Sequence, residues 1–262
     1  MVYAILNQKG GVAKTTTTLC LAGGLQELGK KVLVIDTDPQ CNATDTYGAH
    51  TEDTYTLYDL LANNGELKGQ PERSIEAVQH TEAGDIIAGD PLLRTAEAEI
   101  QGAGRENRLK KALAALRTAY DVILIDTPPQ AGLLQNNAMV AANSCIVPVT
   151  PDRYAIAGLA DLGRAILEVQ ESGLNDNLTI AGLLLVRVDP RQQLSKDILQ
   201  ALPVMSEQLK TKCYKTTIRE AVAVRKSQAQ KQTLFAWEKD NGGPSAVGND
   251  FRAFAKEVVN DG

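Results

Sequence analysis

Aromatic residues make up only 4% of this 262-residue chain, and it has just two histidines, His50 and His80. A core poor in aromatics has to rest on Leu, Ile, Val and Ala. Two isolated histidines support neither a histidine metal site nor a Ser-His-Asp triad, so both read as surface residues. The four cysteines (Cys20, Cys41, Cys145, Cys213) never fall at C-x-x-C spacing, which argues against a metal site and leaves free cytosolic thiols as the expectation. No run of 18 apolar residues and no secretory leader occurs, so neither a membrane span nor export is expected. Net charge is −5, which excludes a uniformly basic nucleic-acid binder. The apolar share of 44% and charged share of 23% are ordinary for a globular chain, and residues 1–262 fit one domain.

What is present is concentrated near the start. Gln8-Lys9-Gly10-Gly11-Val12-Ala13-Lys14-Thr15-Thr16 follows an apolar run, 2–7, and leads into a helix-like stretch. Strand, Gly-rich turn, Lys-Thr and helix form the context of a phosphate-binding P-loop. Backbone N–H groups of residues 10–16 would cradle phosphate oxygens at a helix N-terminus. Gly10 and Gly11 let the backbone come close, Lys14 would reach the β- and γ-phosphates, and the Thr15 hydroxyl would ligate Mg²⁺. The loop departs from G-x-x-x-x-G-K-[ST]: Gln8 and Ala13 replace glycines, and a second lysine, Lys9, stands in front. Ala13 is unstrained there if its φ is negative and strained if it is positive. For Lys9 the plain alternative is a solvated side chain on a flexible turn.

Further short apolar runs at 32–36, 85–88, 121–126, 144–149 and 180–186 alternate with helical spacing at 14–28, 105–118, 155–172 and 191–210. Near-continuous apolar strands suit a parallel sheet covered on both faces. The expected fold is an α/β P-loop NTPase with a doubly wound, mostly parallel twisted sheet flanked by helices. Ligands in such sheets bind beyond the carboxyl ends of the strands. Two other strands end in carboxylates: Asp36-Thr37-Asp38 and Asp126-Thr127-Pro128-Pro129. Asp36 and Asp38 would share a side of the sheet near the γ-phosphate, and Asp126 fits the Walker B aspartate that holds Mg²⁺. Each alone would more often be a loop N-cap.

Together, Asn7-Gln8-Lys9-Gly10-Gly11, Asp36-Thr37-Asp38-Pro39-Gln40-Cys41-Asn42-Ala43-Thr44 and Asp126-Thr127-Pro128-Pro129 resemble the nucleotide motifs of the ParA/MinD group of "deviant" P-loop ATPases. Further likenesses run through 148–159 and 188–191, and then 218–222 with 225–229, the last two being looser. The Asp-Thr-Pro-Pro form points to ParA rather than MinD, and the cysteines lack the spacing of nitrogenase-iron-protein relatives. Cys41 stands where ParA proteins usually carry Gly, a minor departure. The resemblance implies an ATPase that uses ATP and Mg²⁺. Lys9 would cross the interface of an ATP-bound homodimer, Asp38 would orient the attacking water, and Asp36 and Asp126 would serve the metal with Thr15. It also implies a cytoplasmic DNA-segregation switch that associates with the nucleoid when ATP-bound and is stimulated by a ParB-type partner. The chain looks like the small form without a helix-turn-helix ahead of the P-loop.

Residues 187–231 hold ten basic residues against four acidic ones, a local +6 on an acidic chain. That asymmetry suits one face for non-specific DNA, with Arg191, Arg219 and Arg225 as candidates. Their alternative is a solvated or ion-paired surface role. The tail carries Phe251, Phe254, Ala255, Val258 and Val259 at helical spacing but no cationic excess, so it is expected to pack on its own domain rather than on lipid. Residues 240–250 read as a loop. Two other readings stay open: a MinD-like or cargo-positioning ATPase without DNA binding, and a metabolic P-loop ligase or kinase.

Overall fold

The structure, a computed structural model, describes residues 1–62, 67 and 69–261. Strands β1 (Val2–Ile5), β2 (Val32–Asp36), β3 (Val78–Thr81), β4 (Gly84–Ile87), β5 (Val122–Asp126), β6 (Ser144–Val149) and β7 (Thr179–Leu185) form one sheet in the order β3-β4-β2-β5-β1-β6-β7. Neighbouring strands run parallel except β3 and β4. Helices α1 (Lys14–Glu27), α2 (Asn42–Tyr47), α3 (Leu57–Ala62), α4 (Ala96–Glu99), α5 (Arg108–Leu116) and α6 (Leu133–Ala141) are followed by α7 (Ala155–Glu171), α8 (Gln193–Gln208), α9 (Val222–Ala229), α10 (Leu234–Asp240) and α11 (Ala246–Asp261).

The apolar runs are continuous because both faces of the sheet are covered. Successive strand residues point to opposite faces. Val2, Ala4, Leu33 and Ile35 join one buried cluster with α5, α6 and α7, whereas Tyr3, Ile5, Val32 and Val34 join another with α1 and α11. Parallel neighbours require crossovers, and these put helices on the two faces.

The expected strands and helices are all present, with ends shifted by a few residues. The sequence reading did not place β3, α2, α3, α4, α6, α9 or α10. β3 is a four-residue antiparallel edge with little burial. α6 is buried nearly all round, so its sequence shows no amphipathic stripe. The expected loop 240–250 is shorter than read, since α11 already begins at Ala246.

The tail helix packs on its own domain. Phe251, Phe254, Ala255 and Val258 are buried with Leu21 and Leu25 of α1 in the second cluster. The approach is close: a Cβ on Gly24 would sit 2.8 Å from the Ala255 Cβ. The approach therefore depends on that missing Cβ. None of the described helices is long and apolar enough to cross a membrane.

Truncating Phe254 to Ala should lower unfolding stability in urea by about 3–5 kcal/mol. Asn260→Ala, on the exposed side of the same helix, should change it by no more than about 0.5 kcal/mol.

Candidate functional site

Register brings the site together. Ile5 of β1 pairs with Asp126 of β5, and Asp36 of β2 pairs with Asp126 from the other side. The loop after β1 and both acidic strand ends therefore open at one place. Asn7 anchors that loop: its Nδ2 donates to Pro148 O at 2.9 Å, and its Oδ1 accepts from Lys9 N at 2.9 Å.

Gly11 has φ 75°, a conformation that favours glycine, whereas a Cβ on Gly10 would meet only Pro129 at 3.9 Å. Ala13 has φ 60°, so the strained alternative holds at this position. Cys41, at the N-cap of α2, has φ 55°. Its departure from glycine is thus more than minor, because left-handed backbone costs an L-residue roughly 1–2 kcal/mol.

Lys14 is buried, and its Nζ donates to Lys9 O at 2.9 Å. Burial lowers its pKa, while Asp126 and Asp38 pull the other way. Asp126 Oδ1 accepts from Thr18 Oγ1 at 3.2 Å, and its Oδ2 is buried without a hydrogen-bond partner. Burial, then the charge of Asp36, pushes the Asp126 carboxyl well above the usual range, and the nearby Thr15 hydroxyl offsets this only in part. Asp36 is engaged on both oxygens: Oδ1 accepts from Asp38 N at 3.1 Å, and Oδ2 from Thr44 N and Oγ1 at 2.9 and 2.8 Å. Burial raises its pKa as well. A hard cation beside Thr15 and Asp126 would give the orphaned oxygen a partner and relieve the like charges, so these residues fit a divalent metal. Asp36 instead braces the Asp38 turn and α2.

A cavity of about 650 Å³ lies over the loop. Gly10, Gly11, Ala13, Lys14, Thr15, Thr16 and Asp38 line it, whereas Val12 is buried beneath. Lys9 is not in the wall. Its Nζ meets Asp152 Oδ1 at 2.6 Å instead.

The basic candidates separate. Arg191 is almost fully exposed, 3.8 Å from Asp189. Arg219 makes a two-point pair with Asp250, Nε at 2.7 Å and Nη2 at 2.9 Å, which is the ion-paired alternative. Arg225 is exposed and, like Arg219, borders the cavity.

Several site residues escaped the sequence reading. Arg187, just past β7 with φ 58°, donates from Nη1 to Gly11 O at 3.2 Å and from Nη2 to Glu220 Oε1 at 3.3 Å. Gln228 Nε2 donates to Thr16 Oγ1 at 3.0 Å, and Lys231 Nζ to Asp45 Oδ2 at 2.9 Å, so α9 and the turn after it are tied to α1 and α2, with all four residues lining the cavity. The strand-end rule applied to β6 and β7 would have singled out Asp152 and Arg187. Nothing in local sequence marks Gln228 or Lys231.

The fold and loop define a P-loop nucleotide site, and comparison with known proteins agrees. Residues 1–180 match the AAA domain family. The chain is 35% identical to the sporulation initiation inhibitor protein Soj of Bacillus subtilis, over 100% of this chain and 99% of that protein. It is 40% identical to the chromosome partitioning protein ParA of Caulobacter vibrioides, over 75% of this chain and 73% of that one. It also resembles a crystal structure of cobyrinic acid a,c-diamide synthase from Mycobacterium smegmatis with bound ADP and magnesium (30% identity, TM-score 0.79, covering 99% of this chain and 94% of that one). The chain belongs to the ParA/MinD-type P-loop ATPases.

The buried carboxyls make the ligand-free fold sensitive to pH. Folded Asp126 keeps its proton to higher pH than an unfolded aspartate, whose pKa is about 4. The folded state therefore binds more protons in that window, and stability falls as pH rises through the folded pKa. Urea unfolding in EDTA should show stability dropping between about pH 5 and pH 8, and Asp126→Asn should remove most of the drop and be the more stable protein at about pH 8.

Proposed function

We propose that this chain, acting as one unit over 1–262, is an ATP-driven switch for DNA segregation that closes as a homodimer around nucleotide. The observation that carries the reading is Lys9. It stands at the front of the phosphate loop yet outside the cavity wall of its own protomer, on the side of β6. A lysine that serves a triphosphate without entering its own site suits a neighbour's site.

Within one protomer, Lys14 and the N–H groups of the loop would neutralise ATP phosphates, and the Thr15 hydroxyl and Asp126 would hold Mg²⁺. When bound, the metal supplies charge stabilisation for the phosphoryl group. Asp38 lines the cavity and would orient the attacking water. Phosphoryl transfer needs positioning and electrostatics more than covalent help, which matches a site of charges on rigid strand ends. Because nucleotide would form part of the interface, its state would control assembly.

Pairing doubles the basic surface. If each subunit neutralises about three phosphates, the dimer's salt slope approaches about −5. DNA affinity would then follow ATP without base reading. A ParB-type partner would trigger hydrolysis and release. The relatives named as chromosome partitioning proteins support this direction. It also implies a cytoplasmic protein that joins the nucleoid in its ATP form.

One observation favours a MinD-like or cargo-positioning role without DNA: Arg219, a leading DNA candidate, is already paired with Asp250. Retention of random-sequence DNA decides between them. ATP-dependent, salt-sensitive binding supports segregation, and no retention even at low salt removes DNA from the function. The diamide synthase likeness keeps a metabolic ligase in view; such an enzyme would turn over at a rate per protomer independent of protein concentration, unlike a dimer-dependent ATPase.

Three variants separate the roles. Lys14→Ala should abolish nucleotide binding. Lys9→Ala should retain ATP in equilibrium dialysis but not assemble. Asp38→Ala should bind ATP and DNA yet release no phosphate, and normal hydrolysis by that variant would refute its role with the water.

A further inference from the structure

Lys9 is held at both ends by its own chain. Its carbonyl accepts from Lys14 Nζ at 2.9 Å, and its ammonium meets Asp152 Oδ1 at 2.6 Å. Asp152 follows β6, the strand beside β1, and it is fixed independently of Lys9. Thr150 Oγ1 donates to its Oδ2 at 2.6 Å, and Tyr154 N donates to its Oδ1 at 2.9 Å. The Tyr154 ring lies 5.9 Å from Lys9 Nζ and is itself largely exposed.

The depth of this pair matters. The Lys9 and Asp152 side chains are 36% and 28% exposed. A partly exposed ion pair shifts an equilibrium by no more than about fivefold. That is enough to bias where a flexible lysine rests and too little to prevent its leaving. The carboxylate carries one charge, and a nucleoside triphosphate offers several.

We propose that Asp152 is a positioning residue for Lys9: a counter-ion in cis that holds the front ammonium of the loop beside β6 in the lone protomer and gives it up when a second protomer presents a triphosphate. This inference rests on the dimer reading above. It links two events. When Lys14 turns to a phosphate it leaves the Lys9 carbonyl, so nucleotide binding loosens residue 9 from the backbone side. The side chain then exchanges Asp152 for the partner's nucleotide. Asp152 is thereby the competitor that a triphosphate must outbid, which favours assembly on ATP over ADP.

The test uses Asp152→Asn, which keeps an acceptor for Tyr154 N–H, and Asp152→Glu, which keeps the charge. Lysine acylation of the nucleotide-free protein, read at residue 9 by mass spectrometry, reports the pair without any dimer. Sedimentation with a non-hydrolysable ATP analogue and Mg²⁺ reports the release. Asp152→Asn should acylate faster at Lys9 and dimerise up to about fivefold more tightly. Asp152→Glu should stay near wild type on both, and the tightening should vanish when Lys9 is Ala. Unchanged acylation, a dimer no tighter or weaker than wild type, or the same tightening in the Lys9→Ala background overturns the proposal. Raised acylation with no dimer in any of these proteins is a distinct failure, which overturns the dimer reading and the release step together.

Discussion

Three adjacent parallel strands ending in register constrain everything else in this molecule. The pairing of Ile5, Asp126 and Asp36 across β1, β5 and β2 forces a phosphate loop and three buried or nearly buried carboxylates into one small volume. Like charges at low dielectric repel strongly, and a buried oxygen without a partner adds to the penalty. The apolar strands on both sides of the sheet are what hold this arrangement together. The site is therefore ill-satisfied when alone, and a cation with a polyphosphate is the chemistry that completes it.

Backbone strain gathers around the same cavity. Among the described residues, six other than glycine have positive φ, and three of them, Ala13, Arg187 and Lys231, border the cavity, with Cys41 in the turn that carries Asp38. Such conformations persist where packing over-determines them, and they concentrate where a loop must present its N–H groups or side chains in a set direction. Arg187 shows the use of this: its left-handed backbone aims the guanidinium back at the Gly11 carbonyl and joins the loop to Glu220. The basic segment and the phosphate loop are thus physically connected in one protomer.

Much of the fold was legible because its signals are local. Val32 to Ile35 and Val122 to Ile125 announce strands buried on both faces, and the acidic residues directly after them mark the rim where ligands bind. The amphipathic tail was legible from Phe251, Phe254 and Val258. What stayed hidden depends on tertiary placement. α6 is too uniformly buried to show a period, and β3 is too short and polar to stand out. The ion pair of Arg219 could be named only as an alternative because its partner, Asp250, lies 31 residues away in sequence, and the partner of Lys9 follows β6, five strands further along the chain than β1. Ala13 and Cys41 could be seen to replace glycine, but only their dihedrals show the left-handed backbone that makes the replacement strained.

The central claim is that two copies of this chain clasp nucleotide between them. Sedimentation equilibrium of the purified protein, loaded with ATP and Mg²⁺ under conditions that block hydrolysis and compared with an ADP-loaded sample, tests it most directly. A dimer mass with ATP and a monomer mass with ADP is the expected result. A monomer with both nucleotides, at concentrations well above those where ATP is saturating, would contradict it.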